Sequence, residues 1–114
     1  MKAFEIFSWQ PPGWPEPHPC VIISNPSRVE NKPDVEVLLC STQRATRKAE
    51  THEFILDQGD GLDWPTLCKC DLIYAVAKSK LGSKRGEVAK QRRAPLLKVV
   101  IASHAWAEVI AGAN

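Results

Sequence analysis

The sequence lacks any apolar run that approaches the ~18 residues of a membrane-spanning helix, and its first residues lack the pattern of a secretion signal. The opening MKAFEIFSW has one lysine, but Glu5 interrupts an apolar run that is already short. We therefore expect a cytoplasmic protein that makes no contact with a membrane. In that compartment the four cysteines are expected to be free thiols rather than disulfides.

Phosphate-binding glycine loops and HExxH metal motifs are also absent from the sequence. The cysteines do not have the CxxC spacing of a structural zinc site, because Cys68 and Cys70 form CxC and Cys20 and Cys40 lie on other predicted strands. No histidine or other base is fixed beside any of them, so a cysteine nucleophile is not indicated. We expect four buried thiols, no metal and no cofactor.

The net charge of +2 hides an uneven distribution of charges along the chain. Residues 50–77 carry six acidic side chains and one basic side chain, whereas residues 78–98 carry eight basic and one acidic. A basic segment of this kind is either a solvated loop and helix start or a patch that attracts an anion such as nucleic acid. The charges alone leave both interpretations open.

Strand patterns dominate the first three quarters of the chain. Short β-branched or alternating runs are separated by turn-rich segments, and five of the nine residues in PPGWPEPHP are proline. The predicted strands span residues 4–9, 20–25, 34–42, 52–57 and 66–76, with a short last strand at 87–90. Residues 26–33 and the basic segment 78–86 are predicted to be loops.

One helix is predicted at the end of the chain. The run after Pro95, LLKVVIASHAWAEVI, contains neither glycine nor proline; Pro95 suits a first helical position and Gly112 suits a C-terminal cap. The run is apolar nearly all round, which indicates packing on two surfaces, the sheet and a partner subunit. Short strands and one terminal helix predict a mainly β (α+β) fold, a small antiparallel barrel or half-barrel, in one domain over residues 1–114.

The predicted strand TLCKCDLIYAV carries two charged residues among apolar ones. Side chains alternate along a strand, so the two predicted faces consist of Thr66, Cys68, Cys70, Leu72 and Tyr74 and of Leu67, Lys69, Asp71, Ile73 and Ala75. The thiols are then expected in the core, and the β-carbons of Lys69 and Asp71 lie roughly 7 Å apart. These two residues either form a surface ion pair worth about 0–1 kcal/mol or flank one substrate group.

Four segments together resemble the MazF/PemK (Kid) toxins of type II toxin–antitoxin systems. FEIFSW is similar to the opening GEIW strand of that family, HPCVIISN to RPVLIVSN, VLLCSTQ to VVPVTS, and CKCDLIYAVAKSKLG to VRCDQPRTID and the segment after it. Their order and spacing match over nearly the whole chain, including the terminal helix. The resemblance implies an SH3-like barrel of the CcdB/PemK type, a homodimer, a cognate antitoxin, and RNA cleavage without a metal.

The resemblance assigns catalytic roles to three residues. Lys69 and Asp71 stand where the Arg and Asp of the PemK RCD motif act as acid and base, and His18 stands at the arginine of the MazF RP motif. RNA carries its own nucleophile, since its 2′-OH can attack the adjacent phosphorus. That step needs a base, an acid for the departing 5′-oxygen and positive charge for the phosphorane. Asp71 and neutral His18 are alternative bases, and Lys69 donates a proton or stabilises charge.

The resemblance also assigns residues that hold the substrate. Ser41 and Thr42 stand at the hydroxyl position of the family, and the amides of Gln43 and Arg44 are expected to help bind the phosphate. Basic side chains are expected to contact the RNA backbone: Arg44, Arg47, Lys48, Lys78, Lys80, Lys84 and Arg85. A need for the 2′-OH would select RNA over DNA.

The sequence departs from the family pattern in two places. The first loop is shorter and richer in proline, so the histidine of the family's GHEQ motif has no clear counterpart, and Lys69 lacks the planar fork of an arginine. Two alternatives to a nuclease therefore stay open. One is a catalytically inactive PemK/CcdB-like module that binds a protein or nucleic acid, and the other is an SH3-like interaction domain without a toxin role.

Overall fold

An antiparallel sheet of six strands forms the body of the computed structural model, which describes residues 1–112. The strands are β1 (Glu5–Trp9), β2 (His18–Ile22), β3 (Asp34–Cys40), β4 (Glu53–Leu56), β5 (Thr66–Ala77) and β6 (Leu81–Glu87), and they lie in the order β4-β5-β3-β2-β1-β6. The helices are α1 (Pro26–Asn31), α2 (Lys90–Ser103) and α3 (Trp106–Ile110). The predicted mainly β fold with a C-terminal helix is confirmed. Within residues 1–112, no helix has the length and apolar character to cross a membrane.

Apolar side chains are buried on both faces of the sheet. Along β3, Leu38 and Cys40 enter one cluster together with residues of α2, whereas Val37 and Leu39 enter a second cluster together with Val29 of α1. Both faces of the central strands are therefore covered, which explains their almost continuous apolar sequences.

The sheet curls until its two edges approach each other. Gly61, in the β4–β5 loop, has a φ of +87°, and a β-carbon on it would lie 3.0 Å from Gly86 Cα on β6. A β-carbon on Gly86 would overlap the carbonyl oxygen of Asp60. The Asp60 carboxylate accepts hydrogen bonds from the N–H groups of Asp57 at 3.0 Å and Ala89 at 2.9 Å. The sheet is thus a half-barrel whose gap is bridged by the β4–β5 loop.

The C-terminal helix begins earlier than predicted and is interrupted. Lys90 is the first residue of α2, so Pro95 lies inside the helix and residues 87–90 do not form a separate strand. Proline has no N–H to bond the carbonyl of Gln91, four residues earlier in the helix. Pro95 is tolerated because both residues are exposed, so water can bond that carbonyl. After Ser103 the chain turns at Ala105, with a φ of 53°, into α3, which Gly112 follows with a φ of +78°.

Two segments that were predicted to be loops have regular structure. Residues 26–31 form α1, because Asn25 accepts a hydrogen bond from the Arg28 N–H at 2.9 Å and Pro26 takes the first helical position. The basic segment 78–86 forms a 3₁₀ turn (Lys78–Lys80) and most of β6. Within residues 1–112 β6 pairs with β1 alone, so this edge strand does not need the alternation of a central one.

The face assignment for β5 holds as far as Cys70 and then fails. Leu38 lies opposite Ile73 and Cys40 opposite Cys68, so a step of two residues along β3 matches a step of five along β5. The β5 backbone bulges between these points and shifts the alternation. Cys68 and Cys70 share one core cluster as predicted, but Ile73 packs against the same cluster and Leu72 is 41% exposed.

Candidate functional site

A small cleft opens where three loops meet one edge strand. It has a volume of about 200 Å³, and a hydrogen bond of 2.7 Å from Ala45 N–H to the Pro65 carbonyl joins two of the loops beside it. We call it the loop cleft; its lining residues are Glu16, Pro17, Pro19, Thr42, Leu62, Asp63, Trp64, Thr66 and Arg85. Residues from the β1–β2, β3–β4 and β4–β5 loops therefore meet Arg85 of β6 at one place.

His18 is not one of the residues that line the loop cleft; it lies at the start of β2, between Pro17 and Pro19, which do line it. Its Nδ1 lies 3.2 Å from the carbonyl oxygen of Cys40, and Trp14 packs on it edge-to-face with ring centroids 4.8 Å apart. A carbonyl can only accept, so Nδ1 carries the hydrogen in this contact. In the neutral ring Nε2 is then the acceptor nitrogen, the state that a general base needs.

The two predicted hydroxyls have different surroundings. Ser41 Oγ donates to the Gln43 carbonyl at 3.2 Å and accepts from the Leu67 N–H at 3.3 Å, so it fixes the start of the β3–β4 loop. Thr42 lines the loop cleft and donates its hydroxyl to Glu16 Oε1 at 3.3 Å. Of the two hydroxyls, that of Thr42 is the one at the cleft.

Lys69 is engaged with a buried carboxylate. Its ammonium contacts Glu53 across the β4–β5 pair, and Arg47 binds the same carboxylate through Nη1 and Nη2 at 2.6 and 2.9 Å. The Glu53 side chain is only 5% exposed. Hydrogen bonds from Arg47, assisted by Lys69 and by the Glu50 N–H, outweigh the effect of burial and hold the pKa of Glu53 well below its usual range. The Glu53 carboxylate thus faces two cations.

Asp71, Lys78 and Lys80 do not line the loop cleft. Asp71 is exposed in the bulged part of β5, and Lys69 pairs with Glu53 instead of with Asp71. The two lysines lie in the 3₁₀ turn that follows β5, where the Lys78 N–H bonds to the Pro33 carbonyl at 2.9 Å. The structure therefore separates these three residues from the cleft.

Several residues at the site were not expected from the sequence. Trp64 lines the loop cleft, and the exposed Arg44 places its guanidinium carbon 6.0 Å from the centroid of the Trp64 ring. Arg85 was expected only as one of several backbone contacts. No motif marks Glu16 or Asp63 as a site residue, although the turn-rich QGDGLDWP places an acid next to a tryptophan. A loop of this composition can signal a binding surface when other loops converge on it.

All four cysteines are buried free thiols, as the sequence predicts. Burial raises the pKa of Cys20 to about 12. The neighbouring Cys68 thiol, followed by burial, raises the pKa of Cys70, and contact with Cys40 does most to raise that of Cys68. Protonated thiols are poor nucleophiles and poor ligands. Among residues 1–112, no three His, Cys, Asp or Glu side chains are grouped to hold a metal ion.

Comparison with known sequences identifies one family. The model of the family described as PemK-like, MazF-like toxin of type II toxin–antitoxin system matches residues 6–103. A search of curated protein sequences finds no significant match.

Several solved structures share the fold. A mycobacterial endoribonuclease in complex with its cognate antitoxin is 20% identical, with a TM-score of 0.79 over 92% of this chain and 95% of that one. The Mycobacterium tuberculosis toxin MazF-mt6 is 19% identical, with a TM-score of 0.75 over 89% and 96% of the two chains. Another mycobacterial endoribonuclease is 19% identical, with a TM-score of 0.77 over 92% and 91%. At these identities the likeness establishes the fold.

Proposed function

The chain belongs to the family of PemK-like, MazF-like toxins of type II toxin–antitoxin systems, and we propose that it is a metal-independent endoribonuclease that cleaves single-stranded RNA or mRNA. The observation that supports this proposal is that Thr42 lines the loop cleft, while the ring of His18, which lies between two lining prolines in the chain, is oriented by the Cys40 carbonyl. Attack by a 2′-OH on the adjacent phosphate requires a base, and it is aided by a hydroxyl and a cation that hold the phosphate.

In the proposed reaction, His18 Nε2 takes the proton of the 2′-OH as its oxygen attacks the phosphorus. The bond to the 5′-oxygen breaks, and a 2′,3′-cyclic phosphate remains on the upstream fragment. The contact between Nδ1 and the Cys40 carbonyl supports this role, since it orients the ring and sets its tautomer. Thr42 and Arg44 are proposed to hold the phosphate. Lys69 does not line the cleft and is bound to Glu53, so its role as the source of the proton or the positive charge at the leaving oxygen rests on the family resemblance.

A second candidate function is a catalytically inactive module that binds a protein or nucleic acid. It is favoured by the positions of Lys69 and Asp71, because Lys69 is held by Glu53 and Asp71 lies outside the loop cleft. In that case the cleft would serve recognition alone.

We also propose that a cognate antitoxin neutralises this chain by covering the loop cleft. The mycobacterial endoribonuclease that was solved with its cognate antitoxin supports this partner. A homodimer is proposed because apolar side chains of the C-terminal helices are exposed: Ile101, Trp106, Val109 and Ile110. The chain is proposed to act in the cytoplasm as a single domain over residues 1–114.

Cleavage mapping on a long RNA tests the proposed activity. We expect fragments that end in a 2′,3′-cyclic phosphate, and His18→Gln should lower the cleavage rate by about 100-fold or more. Asp71→Asn tests the alternative base, and His52→Gln, an exposed histidine outside the cleft, is the matched control. Fragments with a 3′-hydroxyl would contradict the mechanism, and RNA that is bound but left intact would favour the inactive module.

A further inference from the structure

The loop cleft holds charged groups that do not neutralise one another. Its walls carry the carboxylates of Glu16 and Asp63 and the guanidinium of Arg85, and none of the three forms an ion pair within residues 1–112. Glu16 accepts one hydrogen bond, from Thr42 at 3.3 Å. Glu16 and Asp63 are exposed and Arg85 is half-buried, so all three groups are open to hydrogen bonding by a ligand in this concave site.

The balance of these charges decides which part of an RNA fits the cleft. There is one more carboxylate than guanidinium, and a carboxylate repels a phosphate but accepts hydrogen bonds from the N–H groups of a base. Trp64 adds a flat ring with Arg44 over it at 6.0 Å, and aromatic rings of this kind stack on bases. A volume of about 200 Å³ suits one planar ring system rather than a folded segment of chain.

We propose that the loop cleft binds a guanine base of the RNA, next to the phosphate that Thr42 is proposed to hold. The base stacks on Trp64, the carboxylates of Glu16 and Asp63 accept hydrogen bonds from its N1–H and its 2-amino group, and Arg85 donates to O6 and N7. Guanine is the base that offers two adjacent donors on one edge and two adjacent acceptors on another. The inference rests on the proposed function, because it takes RNA to be the ligand.

The fold keeps these groups on rigid backbone. Asp60 ties the loop that carries Asp63 and Trp64 to the start of α2, through its hydrogen bond from the Ala89 N–H at 2.9 Å. Gly86, next to Arg85, packs directly on Asp60. The segments that carry Asp63, Trp64 and Arg85 are therefore positioned before a ligand arrives, as a selective site requires.

Binding of short oligonucleotides tests the proposal without any cleavage. The probe is a fluorescent octamer of uridines with one central guanosine, in which every 2′-hydroxyl is replaced by hydrogen, and affinity is measured by fluorescence anisotropy. We expect it to bind at least roughly tenfold more tightly than the all-uridine octamer. Octamers with a central inosine, which lacks the 2-amino group, or a central 7-deazaguanosine, which lacks N7, should each bind several-fold more weakly than the guanosine octamer. Equal binding of octamers with a central guanosine, adenosine, cytidine or uridine overturns the proposal.

Carboxylate-to-amide variants test which side chains produce the preference for guanosine over inosine. In the double variant Glu16→Gln/Asp63→Asn, the guanosine and inosine octamers should bind within about twofold of each other, because each amide replaces one of the two acceptor oxygens of the carboxylate by an NH2 donor. The matched control Glu30→Gln, an exposed acid on α1, should keep the wild-type preference. A preference that survives the double variant overturns the assignment of the carboxylates.

Cleavage of the same octamers with their 2′-hydroxyls restored separates this inference from the proposed function. Guanine-selective binding without cleavage contradicts the nuclease and supports the guanine site. Cleavage without any preference for guanine supports the nuclease and overturns the guanine site.

Discussion

Replacing Glu53 by glutamine should destabilise the fold, because the substitution removes the charge that Arg47 and Lys69 share. A hydrogen bond to a charged group contributes about 1.5–3 kcal/mol. Arg47 is 46% and Lys69 32% exposed, so both recover hydration when the carboxylate is lost. Glutamine also keeps one acceptor oxygen. The expected loss is roughly 1–2 kcal/mol of unfolding free energy, and a midpoint of thermal unfolding lowered by roughly 4–8 °C.

The effect has a defined pH dependence. The pKa of Glu53 is lowered in the fold from the ordinary value of 4.5, so the unfolded chain binds the proton more readily. The stability that the ionised carboxylate contributes is therefore complete above that value, and it is lost as the pH falls from 4.5 towards the pKa in the folded state. Glutamine does not titrate, so the difference in unfolding free energy between the wild type and Glu53→Gln should become smaller at acid pH.

Urea denaturation at about pH 7 and at about pH 3 measures this difference. The control is Glu50→Gln, since Glu50 lies 3.9 Å from Arg47 but is 77% exposed, and its loss should cost less than about 0.5 kcal/mol. An unchanged stability of Glu53→Gln at neutral pH, or an equal loss at both pH values, would refute the reasoning.

Three further predictions concern single sites. Gly86→Ala should lower both guanine selectivity and the cleavage rate, because the added β-carbon displaces Asp60 and with it the cleft wall. The circular dichroism of the sheet should be retained. Unaltered selectivity would show that the close packing of Gly86 on Asp60 is unimportant. Ala105→Gly should raise the unfolding free energy by about 0.5 kcal/mol, since φ at this position is 53° and glycine adopts it without strain; a decrease in urea titration would contradict this. A thiol-reactive disulfide reagent should label the buried cysteines slowly in buffer and all four quickly in urea, and rapid labelling of the folded protein would argue against their burial.

The sequence predicts the central strands well because their local signals and their packing agree. The apolar runs of β2 and β3 lie between covered faces, so pattern and burial coincide there. The edge strand β6 was missed because residues 81–87 contain two glycines and a basic pair. α1 was missed because six residues show too little periodicity, although Asn25 and Pro26 mark its start.

The candidate site was predictable only in part. Of the residues that the resemblance names, Thr42 lines the loop cleft, and His18 lies in the chain between two prolines that line it. The partner of Lys69 follows from the register in which Glu53 lies opposite it, and register is set by tertiary packing rather than by the composition of either strand. Asp63, Trp64 and Arg85 converge because two loops and an edge strand pack together, and no sequence spacing encodes that contact.

The weak strand character of β6 also protects the protein from unwanted association. An edge strand exposes backbone donors and acceptors that invite another chain to extend the sheet. The pairing of β6 with β1 shifts register between Ile6 and Phe7 and again between Phe7 and Trp9. In β6 itself, Lys84 is charged and exposed, and the β4–β5 loop packs against Gly86. Irregular pairing, charge and a covering loop each discourage strand addition. The glycines and basic residues that concealed β6 in the sequence thus help the sheet to end at six strands.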